Sequence, residues 1–343
     1  MNKKYLFSPD DYFNKVCQSF VSPYEKVTGR EQVTDVSSRI KSELFEILSP
    51  ELIPFRREPG NASVIFSKKH KDYTVEKCSV EICDGLNMMY FLLVPNRKKG
   101  TGIVCLCGHG YGARQIVRLS KKDNYRRVNF IDNYQKNFAS VLASEGHTVI
   151  VPEFIGFGEA RLKKDMRIPF YGSSCETVSY HSQLYGFSTV ALRVYQTICC
   201  VDILTRFLNT EKVGVMGISG GGLVALYSSC LDERIDKTCV CGYINTFETS
   251  ILSMWHCPDN YIPGLRAIGD MYDFAASLAP RKLMMQYGTK DKLFPLEGAR
   301  KAANEIKRIY SILGEEDKFY PVEFCGKHEV CMPEAVRFFK QET

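Results

Sequence analysis

A serine between glycines follows a short apolar segment in the second half of the chain. Residues 213–216 are typical of a buried strand, and the segment Gly217-Ile218-Ser219-Gly220-Gly221-Gly222 leads from it into a helical pattern. A serine in G-x-S-x-G between a strand and a helix lies on a sharp, strained turn that exposes its oxygen. Glycines on both sides let the neighbouring backbone approach closely. The pattern and its context predict a nucleophile at Ser219.

A serine nucleophile needs a base, and the chain contains six histidines. His328 lies just after the last predicted strand and before the last predicted helix, where a loop histidine can reach the nucleophile. His147 begins a predicted strand, which indicates a structural role. His70 lies in a lysine-rich segment, which indicates an exposed position. His181 and His256 lie in loop-rich segments and could line a pocket. We therefore predict His328 as the base.

The base in turn needs a carboxylate that orients it. Asp291 lies in the loop of residues 288–295, directly after the predicted strand at residues 283–287. An aspartate there could instead serve only as a turn or helix-cap residue. The chain order of Ser219, Asp291 and His328 matches the order known for enzymes with this nucleophile turn. The order favours a catalytic triad over a purely structural aspartate.

Two backbone N–H groups are expected to stabilise the negative oxygen that forms during attack on a carbonyl. Gly220 follows the nucleophile at the start of a helix and is predicted as the first donor. The second donor is predicted in the loop Gly108-His109-Gly110-Tyr111-Gly112, which follows the strand at residues 102–107. Its glycines keep the backbone accessible, and we assign the donor to Tyr111.

Strand and helix patterns alternate along most of the chain and would position these residues. Residues 73–82 and 87–95 read as an antiparallel hairpin. Further strands are predicted at residues 102–107, 148–152, 213–216, 237–243, 283–287 and 319–324, and helices at 130–146, 188–209, 221–230, 297–313 and 333–340. The alternation predicts an α/β fold with a mostly parallel central sheet, an antiparallel N-terminal hairpin and helices on both faces. Ligands bind beyond the carboxyl ends of such strands.

The first part of the chain has a different pattern. Apolar residues recur at helical spacing between residues 36 and 48, which predicts an amphipathic helix. We therefore expect a helical N-terminal extension at residues 1–72 that packs on a catalytic domain at residues 73–343. Whether the extension caps the site or forms a homodimer interface stays open.

Composition excludes several classes of protein. The chain has 343 residues, 45 basic against 39 acidic side chains, and a formal net charge of +6. Its basic residues are scattered in pairs, so nucleic acid is not an expected partner. Neither a signal peptide nor an apolar run of ~18 residues is recognised, which argues against a membrane span. The 14 cysteines contain no C-x-x-C pair, so we expect no metal site, a reducing compartment and a cytoplasmic protein.

The chain resembles the α/β-hydrolase superfamily over roughly residues 73–340. Within it, the chain is most similar to the dienelactone hydrolase and acetyl xylan esterase-like branch. The likeness is carried by the segments described above and by Asn260-Tyr261-Ile262-Pro263-Gly264-Leu265, which looks like a pocket loop of bacterial esterases in this branch. The resemblance implies a serine hydrolase that needs no cofactor.

The chain also departs from that branch. Dienelactone hydrolases proper use a cysteine nucleophile, whereas this chain has Ser219. The cephalosporin C deacetylase and acetyl xylan esterase family carries Arg-Gly-Gln after the fourth strand and a glutamine after the serine. The corresponding stretches here are Phe154-Ile155-Gly156-Phe157-Gly158 and Gly220. A sugar acetate is therefore not assigned as the substrate.

Two long segments are expected to form the rim of the pocket, at residues 156–187 and 246–264. We predict His109, Trp255 and Tyr261 as substrate-binding residues, although the rim aromatics could equally cover the edge of the sheet. The expected activity is hydrolysis of a small-molecule carboxylic ester through an acyl-enzyme on Ser219. A C–C bond hydrolase with the same triad is the main alternative, followed by a peptidase and an inactive binding protein.

Overall fold

The computed structural model describes residues 8–48, 60–98, 100–120, 133–169 and 171–340. The strands in these residues form one nine-stranded sheet. The strands are β1 (Ser63–Lys69), β2 (Tyr73–Cys83), β3 (Leu86–Pro95), β4 (Gly102–Leu106), β5 (Thr148–Pro152), β6 (Val213–Ile218), β7 (Ile235–Cys241), β8 (Lys282–Gly288) and β9 (Phe319–Phe324). β4, β5 and β6 are buried along their whole length, as expected of parallel strands covered on both faces.

The order across the sheet is β1-β2-β3-β5-β4-β6-β7-β8-β9. The pairs β1–β2, β2–β3 and β3–β5 are antiparallel. The pairs β5–β4, β4–β6, β6–β7, β7–β8 and β8–β9 are parallel. The predicted α/β fold with an antiparallel start is confirmed. After β4 the chain places β5 on one side and β6 on the other, and such a switch point leaves a crevice for a ligand.

Helices connect and cover the strands. They are α1 (Asp10–Gln18), α2 (Arg30–Leu48), α3 (Ala113–Val117), α4 (Phe138–Ser144), α5 (Cys175–Leu184), α6 (Thr189–Leu208), α7 (Gly220–Leu231), α8 (Leu265–Ile268), α9 (Met271–Ala276), α10 (Leu296–Ile312) and α11 (Met332–Lys340). Among the described residues no single helix is long and apolar enough to cross a membrane. α5 and α6 meet that test only together, as a pair bent by 104°.

Two glycines of β6 show that helices cover both faces of the sheet. A Cβ at Gly214 would lie 2.6 Å from Cε1 of Phe339 in α11. A Cβ at Gly217 would lie 2.1 Å from the carbonyl oxygen of Gly221 in α7. Because residues 214 and 217 point to opposite sides of the strand, α11 and α7 pack on opposite faces. Only glycine leaves room for such close helix packing at these positions.

The N-terminal segment packs against helices on the face of the sheet that α7 covers, called here the α7 face. α2 contacts α7, α8 and α9, and its buried face contains Ile40, Leu44 and Leu48. Arg308 of α10 donates from its guanidinium to the carbonyl oxygens of Tyr24 (2.9 Å) and Val27 (3.1 Å). These contacts join the chain before α2 to the rest of the protein. A division of the chain at residue 72 stays a prediction.

Two local predictions need correction. Residues 63–69, within the segment predicted to be helical, form the edge strand β1 and pair with β2. The helix predicted at residues 130–146 is limited in the described residues to α4, because Lys136 and Asn137 have positive φ angles of 50° and 52°. A right-handed helix cannot continue through that conformation. Residues 130–132 lie outside the described part of the chain.

Candidate active site

Ser219 lies on a strained turn between β6 and α7. Its backbone angles are φ 56° and ψ −126°, and a positive φ is uncommon for a residue with a side chain. The turn is possible because its flanking glycines have no Cβ: at Gly221 a Cβ would lie 2.1 Å from the carbonyl oxygen of Leu106 in β4. The backbone N–H of Ser219 donates to the carbonyl of Cys241 at 3.0 Å, which fixes the turn against β7.

The side chains of Asp291 and His328 are hydrogen-bonded to each other. Nδ1 of His328 lies 2.8 Å from Oδ2 of Asp291. The other carboxylate oxygen, Oδ1, accepts from the backbone N–H groups of Leu293 (2.8 Å) and Phe294 (3.1 Å). The Asp291 side chain is 1% exposed, so its orientation is fixed by these contacts. Two of the three predicted triad residues are therefore in the geometry of an oriented base.

The other ring nitrogen of His328 is available for chemistry. Nε2 is buried and has no hydrogen-bond partner among the described residues. The ring stacks between Tyr134 and Phe294, at centroid distances of 5.6 and 5.7 Å. A Cβ at Gly242 would lie 3.1 Å from the His328 ring, and Gly242 directly follows the residue that bonds the N–H of Ser219. The structure thus brings the serine turn and His328 to the same edge of the sheet.

The loop after β4 is held in place by three side chains that were not predicted from the sequence. The hydroxyl of Tyr134 donates to the carbonyl of His109 at 2.6 Å. The amide oxygen of Gln135 accepts from the N–H of Gly108 at 2.9 Å. Glu153, the first residue after β5, accepts from the N–H of Ala113 at 2.9 Å. Tyr134 thereby contacts both this loop and the ring of His328.

Gly220 and Tyr111 lie in the segments where oxyanion donors are predicted. Gly220 is the first residue of α7, where backbone N–H groups lack helical partners. Tyr111 lies between Gly110 and Gly112, whose φ angles are 134° and 69°. Its ring packs edge-on to Tyr171 at a centroid distance of 6.1 Å. The donor role of each backbone N–H stays a prediction.

His109 joins this loop to a buried polar cluster. One edge of its ring faces Gly220, where a Cβ would lie 3.2 Å from Nδ1. On the other edge, Nε2 lies 3.3 Å from Oδ2 of Asp259. The same oxygen lies 2.6 Å from Nη1 of Arg193 and accepts from the Cys175 thiol at 3.1 Å. Burial opposes the charge on Asp259, but His109 and Arg193 outweigh it and hold the pKa of Asp259 well below its usual range.

The remaining predicted substrate-binding residues are placed differently. Tyr261 lines a separate apolar cleft of about 360 Å³ together with Phe247 and Ile251, and its hydroxyl donates to the Ile251 carbonyl at 3.2 Å. Trp255 is 79% exposed. Neither residue has a described contact with Ser219 or His328, so their substrate-binding role stays a prediction. His109 is the predicted pocket residue that lies beside the nucleophile turn.

A cleft of about 950 Å³ opens beside His328 and Asp291. Its lining includes Tyr134, Leu293 and the lysines at positions 136, 290, 292 and 327. One of these lysines, Lys136, is paired with Glu329 at 2.6 Å. The cleft is large enough for a small organic molecule.

No protein-family profile matches this chain. YtaP of Bacillus subtilis (strain 168), provisionally described as a hydrolase, is 24% identical over 311 residues that cover 88% of this chain and 98% of YtaP. A solved structure from Bacteroides fragilis NCTC 9343, provisionally described as an acetyl xylan esterase, has a TM-score of 0.77 at 14% identity over 93% of this chain and 83% of its own. A glucuronoyl esterase from Solibacter usitatus has a TM-score of 0.63 at 16% identity, over 92% and 94% of the two chains. Together with the sheet order, these likenesses show that the chain has the α/β-hydrolase fold.

Proposed function

We propose that this protein is a serine hydrolase that cleaves a carboxylic ester of a small molecule. Ser219 is the nucleophile, His328 the base and Asp291 the residue that orients the base. The observation that carries the proposal is the bond of 2.8 Å between Nδ1 of His328 and Oδ2 of Asp291, which leaves Nε2 of His328 buried and unpartnered. A strained serine turn at the same sheet edge supplies the group that this nitrogen would deprotonate.

The reaction follows from these positions. Nε2 of His328 takes the hydroxyl proton of Ser219 as Oγ attacks the carbonyl carbon of the ester. The N–H groups of Gly220 and Tyr111 stabilise the oxyanion. The C–O bond to the alcohol then breaks, and His328 gives the proton to the departing oxygen. Water loses a proton to His328 and attacks the acyl-enzyme, which releases the acid and returns the proton to Ser219.

Asp291 keeps the base in the correct tautomer. Its Oδ1 is fixed by two backbone N–H groups, so Oδ2 is left to accept from Nδ1–H of His328. Nε2 then carries a lone pair and can accept the serine proton. The carboxylate also stabilises the positive charge that His328 acquires during each step.

The similar proteins support an ester as the substrate. Two of the structurally similar proteins are named as esterases, one for acetyl xylan and one for glucuronoyl esters. The cleft of about 950 Å³ beside His328 is large enough for a small organic ester. A small-molecule substrate and a cytoplasmic location are part of this proposal.

A hydrolysis screen tests the proposal directly. The purified full chain is assayed with p-nitrophenyl esters from acetate to decanoate, and Ser219→Ala serves as the control. Turnover should fall by on the order of 10⁴-fold or more in the variant, because the triad acts as a unit. A fluorophosphonate probe should label the wild-type chain but not Ser219→Ala. Full ester turnover in Ser219→Ala would contradict the proposal. Labelling without turnover of these esters would favour C–C bond hydrolysis or an ester of narrower specificity.

A further inference from the structure

Four potential metal ligands converge beside the loop that carries the predicted oxyanion donor. They are Nε2 of His109, Sγ of Cys175, Sγ of Cys257 and a carboxylate oxygen of Asp259, and all four atoms lie within 4.8 Å of one another. Cys175 and Asp259 are buried, and His109 and Cys257 are half-buried. One imidazole, two thiols and one carboxylate form a donor set of the kind that binds zinc in proteins.

The four ligand atoms lie close to one another. The two sulfur atoms lie 3.2 Å apart, and Sγ of Cys175 lies 3.1 Å from Oδ2 of Asp259. Nε2 of His109 is buried and lies 3.3 Å from the same oxygen, outside hydrogen-bond geometry. Burial makes a well-directed partner for this nitrogen favourable. A cation between these atoms would satisfy the imidazole and both sulfurs at once.

Arg193 completes the charge balance of the cluster. Its Nη1 lies 2.6 Å from Oδ2 of Asp259, and its Nη2 lies 3.2 Å from Sγ of Cys175. Two thiolates and one carboxylate carry three negative charges, of which the guanidinium neutralises one. A divalent ion neutralises the other two, so the buried site is neutral overall, and buried charge is stable only when it is compensated. N–H groups that donate to metal ligands are the usual outer-shell arrangement.

We propose that His109, Cys175, Cys257 and Asp259 bind one zinc ion in a closed tetrahedral site. A site with four protein ligands has no open position, which is the arrangement of structural zinc. The ion would join the loop after β4 to both segments of the predicted rim, since Cys175 begins α5 and Cys257 and Asp259 lie at residues 257–259. The sequence does not predict this site because its ligands come from three separate segments without a C-x-x-C pair.

The metal site would fix the position of Gly220, the residue after the predicted nucleophile, without taking part in the reaction. With Nε2 of His109 bound to the metal, the opposite edge of the ring stays against Gly220. A Cβ at Gly220 would lie 3.2 Å from Nδ1 of His109. The metal would therefore stiffen the loop next to Gly220. The proposal does not depend on ester hydrolysis, since metal binding is measured by itself.

Metal content tests the proposal. The full chain is purified without chelators, reconstituted with zinc, passed through a desalting column and analysed by elemental mass spectrometry. Wild type should contain about one zinc ion per chain. In Cys257→Ser the zinc affinity should fall by more than the ~10–100-fold that loss of an outer-shell partner costs. Cys17→Ser is the matched control, because Cys17 is also half-buried but lies outside the cluster, and it should bind zinc like wild type.

Spectroscopy identifies the ligands independently of protein yield. Cobalt-loaded wild type should show a thiolate-to-cobalt absorption band in the near ultraviolet that is weakened in Cys257→Ser and unchanged in Cys17→Ser. X-ray absorption should give zinc–sulfur distances of ~2.3 Å and zinc–nitrogen or oxygen distances of ~2.0–2.2 Å. Circular dichroism confirms that each variant is folded.

Three results would overturn the proposal. The first is a folded wild-type chain that retains no zinc after reconstitution. The second is equal zinc affinity in wild type and Cys257→Ser. The third is a Cys175–Cys257 disulfide in freshly purified protein, detected by mass after alkylation, which would make the pair a redox element instead of a metal site.

Discussion

The carboxylate of Glu153 accepts a hydrogen bond of 2.9 Å from the backbone N–H of Ala113, which joins the end of β5 to the start of α3. Gly112 and Gly158 both lie against this carboxylate, and a Cβ at either position would be 2.1 Å from one of its oxygens. Burial raises the pKa of Glu153 to about 7, although the backbone N–H groups of Ala113 and Glu159 work in the opposite direction. The hydrogen bond that holds the predicted oxyanion loop therefore depends on the protonation of Glu153.

This linkage predicts a pH dependence of stability that Glu153→Gln should weaken. Because the pKa of Glu153 is higher in the folded than in the unfolded chain, its contribution is fully present below the ordinary value of 4.5 and is lost as the pH rises through about 7. The loss should be on the order of 3 kcal/mol in the free energy of unfolding. Glu153→Gln should flatten this fall, as measured by urea unfolding across the same pH range.

Glu159→Gln is the control for that experiment. Burial opposes the charge of Glu159, but the hydrogen bonds and charges of Lys77 and Arg114 hold the pKa of its carboxyl below the usual value. It therefore stays ionised throughout the range in which Glu153 titrates. Its charge is a lesser cause of the raised pKa of Glu153, after burial, so its replacement should keep most of the slope between pH ~5 and ~8. A Glu153→Gln variant that loses stability with pH as steeply as wild type would refute the assignment of this titration to Glu153.

A second prediction concerns the tautomer of the base. In Asp291→Asn the amide oxygen can still accept from the N–H groups of Leu293 and Phe294, while the amide nitrogen faces Nδ1 of His328. That nitrogen donates, so the imidazole must carry its proton on Nε2 and cannot accept the proton of Ser219. We expect kcat for ester hydrolysis to fall by about 10⁴-fold. Thermal unfolding should change little, because the backbone contacts of the loop are kept.

The comparison of kcat with stability separates an orienting role from a structural one. If Asp291 were only a turn residue, Asp291→Asn would retain most of its activity in a p-nitrophenyl ester assay. Fluorophosphonate labelling of Ser219 should slow in parallel with ester hydrolysis, since both reactions need the same base. A variant with slow hydrolysis but normal labelling would place the role of Asp291 in a later step than nucleophile activation.

The segments that carry the predicted triad residues could be identified because each is a local pattern. The strand–turn–helix context of Ser219 and the loops after β8 and β9 are read from apolar runs and glycines that are neighbours in sequence. The alternation of strands and helices then predicts a parallel sheet, and parallel strands bring their carboxyl ends to one edge. Asp291 and His328 lie 2.8 Å apart at that edge, and their catalytic roles stay a prediction.

The contacts that support the loop after β4 could not be predicted in this way. Asp259 contacts Arg193, Cys175 and His109, which lie in other segments of the chain, and no single sequence motif contains these four residues. The edge strand β1 was missed for a related reason. Its residues are mostly exposed, so its sequence lacks the alternation of apolar and polar residues that identifies a half-buried strand.

A substitution of Gly221 would have two opposing effects on the free energy of unfolding. Helix propensity alone predicts that Gly221→Ala in α7 would stabilise the protein by about 1 kcal/mol. The new Cβ would lie 2.1 Å from the backbone carbonyl of Leu106, and backbone cannot move aside as a side chain can. We expect the clash to dominate and the free energy of unfolding to fall by about 1–3 kcal/mol. Chemical denaturation measures the change.

Gly29→Ala is the matched substitution for that test. Its new Cβ would meet only the side-chain oxygen of Gln32, at an ordinary contact distance of 3.8 Å. The effect should lie within about 0.5 kcal/mol of wild type. Equal stability of the Gly221→Ala and Gly29→Ala variants would mean that the close approach of α7 to β4 does not constrain position 221.

The last prediction tests whether the N-terminal segment shares the core of the catalytic fold. Leu44 and Phe45 are neighbours in α2, but Leu44 is fully buried and Phe45 is 50% exposed. Leu44→Ala should lower the free energy of unfolding by about 2–5 kcal/mol, because it leaves a cavity between α2 and the helices of the α7 face. Phe45→Ala should cost much less, since its ring already contacts solvent. If α2 were an independent appendage, Leu44→Ala would leave the main unfolding transition unchanged, whereas a shared core shifts that single transition for every probe that follows it.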